Sequence, residues 1–151
     1  MNGGEGTDVR KTKEGDLSNV EFERPAILSG YTVILQSGCG KIHVTINFDG
    51  ARPVEVYVRS SASGGCAASL EVQGRLISRS LQLGLDWKEI LKQLHTPKCT
   101  AAVRNPKTKQ TVIGKEFIVK SCADGIAKAI ELAMELRGTT INPEETQEGE
   151  E

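Results

Sequence analysis

The stretch YTVILQSGCGKIHVTINFDGARPVEVYV, residues 31–58, decides the fold. In this stretch apolar residues, most of them β-branched, alternate with polar ones, and Gly38-Cys39-Gly40 and Asp49-Gly50 interrupt the alternation. Alternation with a period of two is typical of strands with one buried face, and glycine-containing turns join neighbouring antiparallel strands. The stretch therefore predicts an antiparallel β-meander.

After Cys66 the spacing of the apolar residues changes to three and four, which predicts a helix over residues 66–83 with one packed face. Gly74 lowers helix propensity, so it predicts the close approach of another element. Gly84 ends the helix. The apolar residues on the packed face are Leu70, Ile77 and Leu81.

A second, shorter helix is predicted from its capping pattern. Asp86 with Glu89 three residues later is typical of a helix start, and the helix continues to about His95 before Pro97 stops it. Residues 100–110, which contain several basic side chains, are predicted to be a solvated loop.

Residues 111–119 are predicted to form a further strand. Ser121 and Asp124 then cap a final helix. Strands followed by helices that pack on one face predict an α+β fold.

The chain has 151 residues, the size of one ordinary domain. The folded part is predicted as residues 24–138, between a disordered polar arm over 1–23 and a disordered acidic tail over 139–151. A net charge of −1 lacks the basic excess of dedicated nucleic-acid binders. No apolar run is long enough to cross a membrane and the first residues do not look like a secretory signal, so we expect a cytoplasmic protein.

The four cysteines stand at turns and helix starts. Cys39 lies in the first strand turn, and Cys66 and Cys122 begin the first and last helices. Cys99 follows Pro97. Free backbone N–H groups and the positive end of a helix stabilise a thiolate, which is the metal-binding form of cysteine. Four converging thiolates would form a closed tetrahedral zinc site.

Two other interpretations of the cysteines stay open at this point. Free cysteines are common as small buried apolar residues, and these four contain no Cys-x-x-Cys pair. Nucleophilic catalysis would need a base beside a thiol, and nothing in the sequence ties His43 or His95 to one. We therefore expect no catalytic residue.

Short motifs are spread over residues 24–136. They are Arg24-Pro25, Tyr31-Thr32, Cys39-Gly40-Lys41, Val44-Thr45-Ile46-Asn47, Pro53-Val54-Glu55-Val56, Gly64-Gly65-Cys66-Ala67-Ala68, Gly74-Arg75-Leu76-Ile77-Ser78, Ile90-Leu91-Lys92-Gln93-Leu94, Cys99 and Ser121-Cys122-Ala123-Asp124-Gly125-Ile126-Ala127-Lys128-Ala129. Their order resembles that of the TSCPD domain, a family found near the C-terminus of adenosylcobalamin-dependent ribonucleotide reductases and as small stand-alone proteins. Lys-Ser-Cys-Ala-Asp at residues 120–124 replaces the Thr-Ser-Cys-Pro-Asp that names the family.

A second resemblance concerns the cysteines alone. Cys39-Gly40, Gly65-Cys66-Ala67-Ala68-Ser69 and Cys122 are similar to the ligand pattern of iron–sulfur cluster scaffold proteins, in which three cysteines meet at a strand turn and two helix starts. Lys41 replaces the Asp that follows Cys-Gly in those scaffolds, which argues against labile cluster transfer, and Cys99 offers a fourth ligand. The resemblances imply a scaffold-like fold and a structural zinc site formed by Cys39, Cys66, Cys99 and Cys122.

The resemblance to the TSCPD domain implies a role in deoxyribonucleotide synthesis. A chain of 151 residues is too short for a reductase barrel, so we expect no activity from it alone. It would act as an accessory, regulatory or split-off module of a ribonucleoside-diphosphate reductase, and adenosylcobalamin would come only through that partner chain. The reductase's nucleotides and a second copy of this chain are further candidate partners, and no membrane or dedicated nucleic-acid partner is expected.

The alternative is a small nucleotide- or anion-binding protein of bacterial or phage origin without a reductase role. Gly64-Gly65 at a predicted helix start would cradle a phosphate group, and Arg104, Lys107 and Lys109 would attract one or an acidic partner. A tight turn and a solvated loop explain the same residues without a ligand. A structural dimerisation unit is a third interpretation.

Overall fold

The computed structural model describes residues 21–61 and 65–141 of the chain. Its main sheet has three antiparallel strands in the order β1, β2 and β3, which are Ser29–Ser37, Gly40–Asp49 and Arg52–Ser60. Val44 of β2 faces Val33 of β1 and Val58 of β3, so the apolar positions of the three strands fall on one face. The predicted β-meander and the α+β class are confirmed.

The inner face of the sheet is aliphatic and packs against helix α4, Cys122–Ile141. Spacing of three and four residues puts Ile126, Ile130 and Ala133 of α4 on the side facing the sheet, where all three are buried. Removal of this apolar surface from water is the main force that holds the two layers together. The strand residues of this apolar core are Val33, Leu35, Ile42, Val44, Ile46, Phe48, Val56 and Val58.

Helix α1, Gly65–Gln82, runs beside the edge strand β3. Gly74 lies against that strand: a Cβ atom there would stand 3.0 Å from the Val56 carbonyl oxygen, which confirms the predicted close approach. The Ser78 hydroxyl accepts a hydrogen bond from the Val56 N–H at 2.8 Å, and the Gln82 amide donates to the Val54 carbonyl at 3.2 Å. Side chains of α1 therefore occupy backbone groups on the outer edge of β3.

Gly84 and Asp86 separate α1 from helix α2, Trp87–Leu94. Gly84 has a φ of +93°, a region that favours glycine, and its N–H donates to the Leu81 carbonyl at 2.9 Å. The Asp86 carboxylate accepts a hydrogen bond from the Lys88 N–H at 3.1 Å, as an N-cap does. Both predicted helix boundaries are confirmed.

The prediction of a solvated loop over residues 100–110 is wrong. This stretch contains helix α3, Thr100–Arg104, followed by a 3₁₀ turn, Pro106–Thr108. Thr108 is buried, and its hydroxyl donates to the carbonyls of Ala102 at 3.2 Å and Asn105 at 2.8 Å. These contacts order the stretch despite its basic side chains.

The prediction of a single strand over residues 111–119 is wrong, because this stretch contains the end of one strand, a turn and a second strand of a hairpin. Strands β4, Lys109–Val112, and β5, Lys115–Ile118, pair in antiparallel fashion. The turn between them holds Ile113 at a φ of +52° and Gly114 at +73°. A positive φ is uncommon for a β-branched residue, so the sequence gives no ordinary turn signal here.

Most of the predicted arm over 1–23 and tail over 139–151 lies outside the described residues. Helix α4 continues to Ile141, which is inside the predicted tail. In the part of the chain that the structure describes, no helix is both long enough and apolar enough to cross a membrane.

Candidate functional site

The turn between β1 and β2 brings Cys39 to one end of the sheet. Gly38 in this turn touches α3, because a Cβ atom there would stand 2.3 Å from the Ala102 backbone nitrogen. The side-chain amide of Asn105 donates a hydrogen bond to the Gly38 carbonyl at 3.2 Å. The turn therefore docks on the helix whose N-cap residue is Cys99.

Cys99 in turn lies beside the start of α4. Its N–H donates to the Lys120 carbonyl at 2.8 Å, and Cys122 follows two residues later as the first residue of α4. The Cys122 thiol is partly buried, and the Ser37 hydroxyl at the end of β1 lies near enough to affect its pKa. These contacts link the chain segments that carry Cys39, Cys99 and Cys122.

Cys66 is connected to this region through the end of β3. Ser61 donates its N–H to the Lys41 carbonyl at 3.1 Å, and its hydroxyl accepts from the Lys41 N–H at 3.1 Å. Helix α1 begins shortly afterwards at Gly65, with Cys66 exposed in its first turn. The four residues Cys39, Cys66, Cys99 and Cys122 are called the cysteine end below.

The pKa of the Cys122 thiol reflects the other three cysteines. Burial raises this pKa, the Ser37 hydroxyl acts in the opposite direction, and the charges of Cys99, Cys39 and Cys66 raise it further. The net result is a pKa above the ordinary thiol value, so the lowering expected at a helix start does not prevail at Cys122.

The cysteine end is not a closed ligand cage. Across residues 21–61 and 65–141, no three Cys, His, Asp or Glu side chains are arranged to hold a metal ion. Cys39 and Cys66 are exposed, whereas Cys99 and Cys122 are partly buried. Four thiols fit zinc by their chemistry, but their spacing here does not complete a tetrahedron.

The first turn of α4 is fixed by Ser121 and Asp124, which confirms the predicted cap. The Ser121 hydroxyl accepts a hydrogen bond from the Asp124 N–H at 3.0 Å. The Asp124 carboxylate accepts one from the Lys120 N–H at 2.9 Å and lies 3.4 Å from Lys128 Nζ. Burial opposes ionisation of Asp124, but the contacts with Lys120, His95 and Lys128 outweigh it and hold its pKa below the ordinary value.

His95 is a contributor to this region that the sequence reasoning missed. Its Nδ1 lies 2.7 Å from Asp124 Oδ1, and its Nε2 lies 3.0 Å from Glu131 Oε1. Both contacts are hydrogen bonds at once when both ring nitrogens carry protons. His95 thus joins the end of α2 to two turns of α4, across a separation of 29 residues that no local motif reveals.

Comparison with known protein families gives a match for this chain. The sequence model of the TSCPD domain matches residues 11–134. The chain belongs to the TSCPD domain family. TSCPD domains occur in adenosylcobalamin-dependent ribonucleotide reductases. The match includes all four cysteines and begins inside the predicted N-terminal arm.

Comparison of this TSCPD domain with curated proteins and with solved structures gives no match. The similarity to iron–sulfur cluster scaffolds therefore stays a prediction. In the motif that names the family, Ser121 and Asp124 cap α4, and Cys122 contributes its thiol to the cysteine end. Ala123 stands where the family motif has Pro, at the second helical residue, whose N–H has no partner within a helix.

The residues predicted to bind an anion lie on several elements of the TSCPD domain. Gly64 is outside the described residues, and Gly65 is the first residue of α1. Arg104 ends α3 and Lys107 lies in the 3₁₀ turn, both exposed. Lys109 begins β4 and pairs with Glu116 at 3.1 Å. A ligand for these residues stays a prediction.

Proposed function

We propose that this TSCPD domain is a zinc-binding accessory module of an adenosylcobalamin-dependent ribonucleotide reductase, without catalytic activity of its own. The zinc ligands are Cys39, Cys66, Cys99 and Cys122. The observation that carries the proposal is the family match over residues 11–134, which includes all four cysteines.

The negative charges that these cysteines carry as thiolates favour a bound cation. Neighbouring thiolates repel one another, and a divalent cation removes that repulsion. Zinc–sulfur bonds are about 2.3 Å long, so the thiols have to draw together on binding. Cys39 and Cys66 are the exposed pair, with room to move, whereas Cys99 and Cys122 are partly buried.

A metal at this end would tie the main sheet to α1, α3 and α4. Hydrogen bonds that join these elements there include Cys99 N–H to the Lys120 carbonyl and the Asn105 amide to the Gly38 carbonyl. Metal binding that requires the folded arrangement adds its free energy to folding. We therefore assign the metal a structural role.

The reductase role is supported by family membership. In this proposal the domain acts in the cytoplasm on a separate reductase chain, which alone binds adenosylcobalamin. A homo-oligomer of the domain is compatible with this role.

Metal analysis of the purified full chain tests the zinc site. We expect about one zinc per chain in the wild-type protein, as one tetrahedral site requires, and a strong loss in each single Cys→Ser variant. Asp49→Asn is the matched control, because it removes an exposed potential ligand at the end of β2 opposite Cys39. No zinc uptake by the reduced wild-type chain, or full uptake by all four variants, would contradict the site.

Calorimetric titration with the purified reductase chain of the same organism tests the accessory role. We expect direct binding by the wild-type domain and no deoxyribonucleotide formation by the domain alone. Absence of binding would remove the accessory role while leaving the zinc site intact. Reductase activity of the isolated chain would contradict the proposal as a whole.

A further inference from the structure

The outer face of the main sheet, opposite α4, carries polar and aromatic side chains. His43 of β2 pairs with Arg59 of β3, and Thr45 pairs with Tyr57. Residues at alternate positions of a strand share a face, so these four side chains lie together on the side away from the apolar core. His43, Tyr57 and Arg59 are exposed.

Helix α1 forms a wall beside this face. Ala67, Glu71 and Arg75 follow at four-residue spacing, and with the four outer-face residues they line a groove of about 900 Å³. Small-molecule sites have volumes of about 300–1,000 Å³, so the groove has the size of a ligand site. Ser60 and Ser61, which precede α1, also line it.

The charge available in the groove is positive. The Arg59 side chain makes no hydrogen bond or ion pair with any other residue that the structure describes. Arg75 pairs with Glu71 at 2.7 Å, but both side chains are more than half exposed, so the pair is weak and an anion can compete for the guanidinium. The first turn of α1 has no acidic residue, which leaves the positive helix end uncompensated.

The ring of Tyr57 is positioned for stacking. Tyr57 is 54% exposed, so much of its ring is accessible to a ligand. Its hydroxyl is one of the groups that lower the pKa of Glu55, a buried carboxylate that also accepts a hydrogen bond from Asn47 at 3.1 Å and pairs with Arg24. An exposed aromatic ring offers a stacking surface to any base.

We propose that this groove binds a nucleoside phosphate, with the base stacked on Tyr57 and the phosphate bound between Arg59 and the start of α1. A small inorganic anion would leave the aromatic ring and most of the groove unoccupied. An apolar ligand would remove water from the Arg59 guanidinium without offering it a hydrogen-bond acceptor. Glu71 interrupts the positive charge, which favours one nucleotide over a polynucleotide strand. The site differs from the predicted one at Arg104, Lys107 and Lys109, and it requires neither zinc nor a reductase.

Calorimetric titration of the full chain with ATP, adenosine and inorganic triphosphate tests this site. We expect ATP to bind more tightly than either half-ligand. Tyr57→Ala should weaken ATP and adenosine binding about tenfold and leave triphosphate binding unchanged, because it removes only the stacking surface. Arg59→Gln should weaken ATP and triphosphate binding about tenfold and leave adenosine binding unchanged, because it removes only the cation.

Two matched variants control for folding and for charge. Tyr57→Phe keeps the ring and loses only the hydroxyl contact with Glu55, so ATP binding should remain near the wild-type value. Lys88→Gln removes one exposed positive charge on α2, away from both candidate anion sites, and should have no effect. Circular dichroism of each variant checks that the fold is retained.

Three results would overturn the proposal. The first is no binding of ATP at millimolar concentration by the wild-type chain. The second is a loss of ATP binding in Arg104→Gln that equals the loss in Arg59→Gln, because the anion site would then lie elsewhere. The third is tighter binding of a single-stranded oligonucleotide than of ATP, because the groove would then be part of a polynucleotide surface.

Discussion

Helices α4 and α1 both carry a cysteine in their first turn, but the two turns differ. At α4, Ser121 caps the helix and the buried Asp124 accepts hydrogen bonds from Lys120 and His95. At α1, Cys66 is exposed, and the first turn has no acidic residue. One helix start is rigidly held, and the other presents its thiol to solvent.

This difference shows that a helix start alone does not set the chemistry of a cysteine. The helix dipole favours a thiolate at both positions. At Cys122, burial and the neighbouring thiols outweigh the dipole and raise the pKa. The surroundings of each start therefore decide how its thiol behaves, and four experiments test that conclusion.

Replacement of Asp124 by Ala should have the largest effect. It removes the acceptor for the Lys120 N–H and for His95 and leaves Lys128 without its buried partner. We expect the free energy of unfolding to fall by about 3 kcal/mol, as measured by urea denaturation. Glu71→Ala, which removes an exposed carboxylate on α1, is the control and should change it by less than about 0.5 kcal/mol. Similar losses in both variants would contradict the contrast between the two helices.

The second-largest effect should come from acid, which should destabilise the first turn of α4. The pKa of Asp124 is below its ordinary value in the folded chain, so its ionised form stabilises the fold at neutral pH. That stabilisation is lost as the pH falls through the ordinary carboxyl range towards the lower pKa of the folded state. In Asp124→Asn, the free energy of unfolding should decrease less between pH 7 and pH 3. Equal decreases in the two proteins would assign the acid sensitivity to other carboxyls, such as Glu55.

The thiols should differ in their rates of alkylation. In the metal-free protein at neutral pH, iodoacetamide should modify Cys122 about tenfold more slowly than Cys66, because the Cys122 thiol is partly buried and has a raised pKa. Mass spectrometry of digested samples gives both rates from one reaction. In urea the two rates should converge, and equal rates in the folded protein would show that the two starts are equivalent.

Cys66→Ser should have the smallest effect. In the metal-free protein we expect a change of less than about 0.5 kcal/mol in the free energy of unfolding, because the side chain is exposed. Cys122→Ser should cost about 1 kcal/mol, because a hydroxyl replaces a thiol packed against the core. With zinc present, both variants should lose the added stability that the proposed site confers on the wild-type protein. A large loss in the free energy of unfolding of metal-free Cys66→Ser would contradict the conclusion that the Cys66 thiol faces solvent.

Local signals account for the parts of the fold that the sequence predicted. Alternation over residues 31–58 places one face of the meander in the core, and Gly84 and Asp86 mark helix boundaries by their own backbone and side-chain chemistry. Helix α3 was missed because one turn of helix is too short to show a period, and it is held by contacts with the Gly38 turn. The hairpin was missed because Ile113 is an unusual residue at positive φ.

The candidate site was predictable only in outline. Turn and helix-start positions predicted that the cysteines gather, and hydrogen bonds link the segments that carry Cys39, Cys99 and Cys122, but the metal site itself stays a prediction. Their spacing depends on how the Gly38 turn docks on α3, which is a tertiary contact without a sequence signature. The same holds for the pairing of His95 with Asp124, because residues far apart in the chain meet only after the helices pack.

The hydrogen bonds from α1 to β3 also bear on the solubility of folding intermediates. Residues 53–58, PVEVYV, are rich in β-branched side chains, and such a strand with a bare edge is a template for aggregation. Ser78 and Gln82 occupy the backbone groups of Val56 and Val54 that an incoming strand from another molecule would use. Helix α1 thus hinders the addition of a strand from another molecule to β3. The chain is most prone to aggregation before that helix docks.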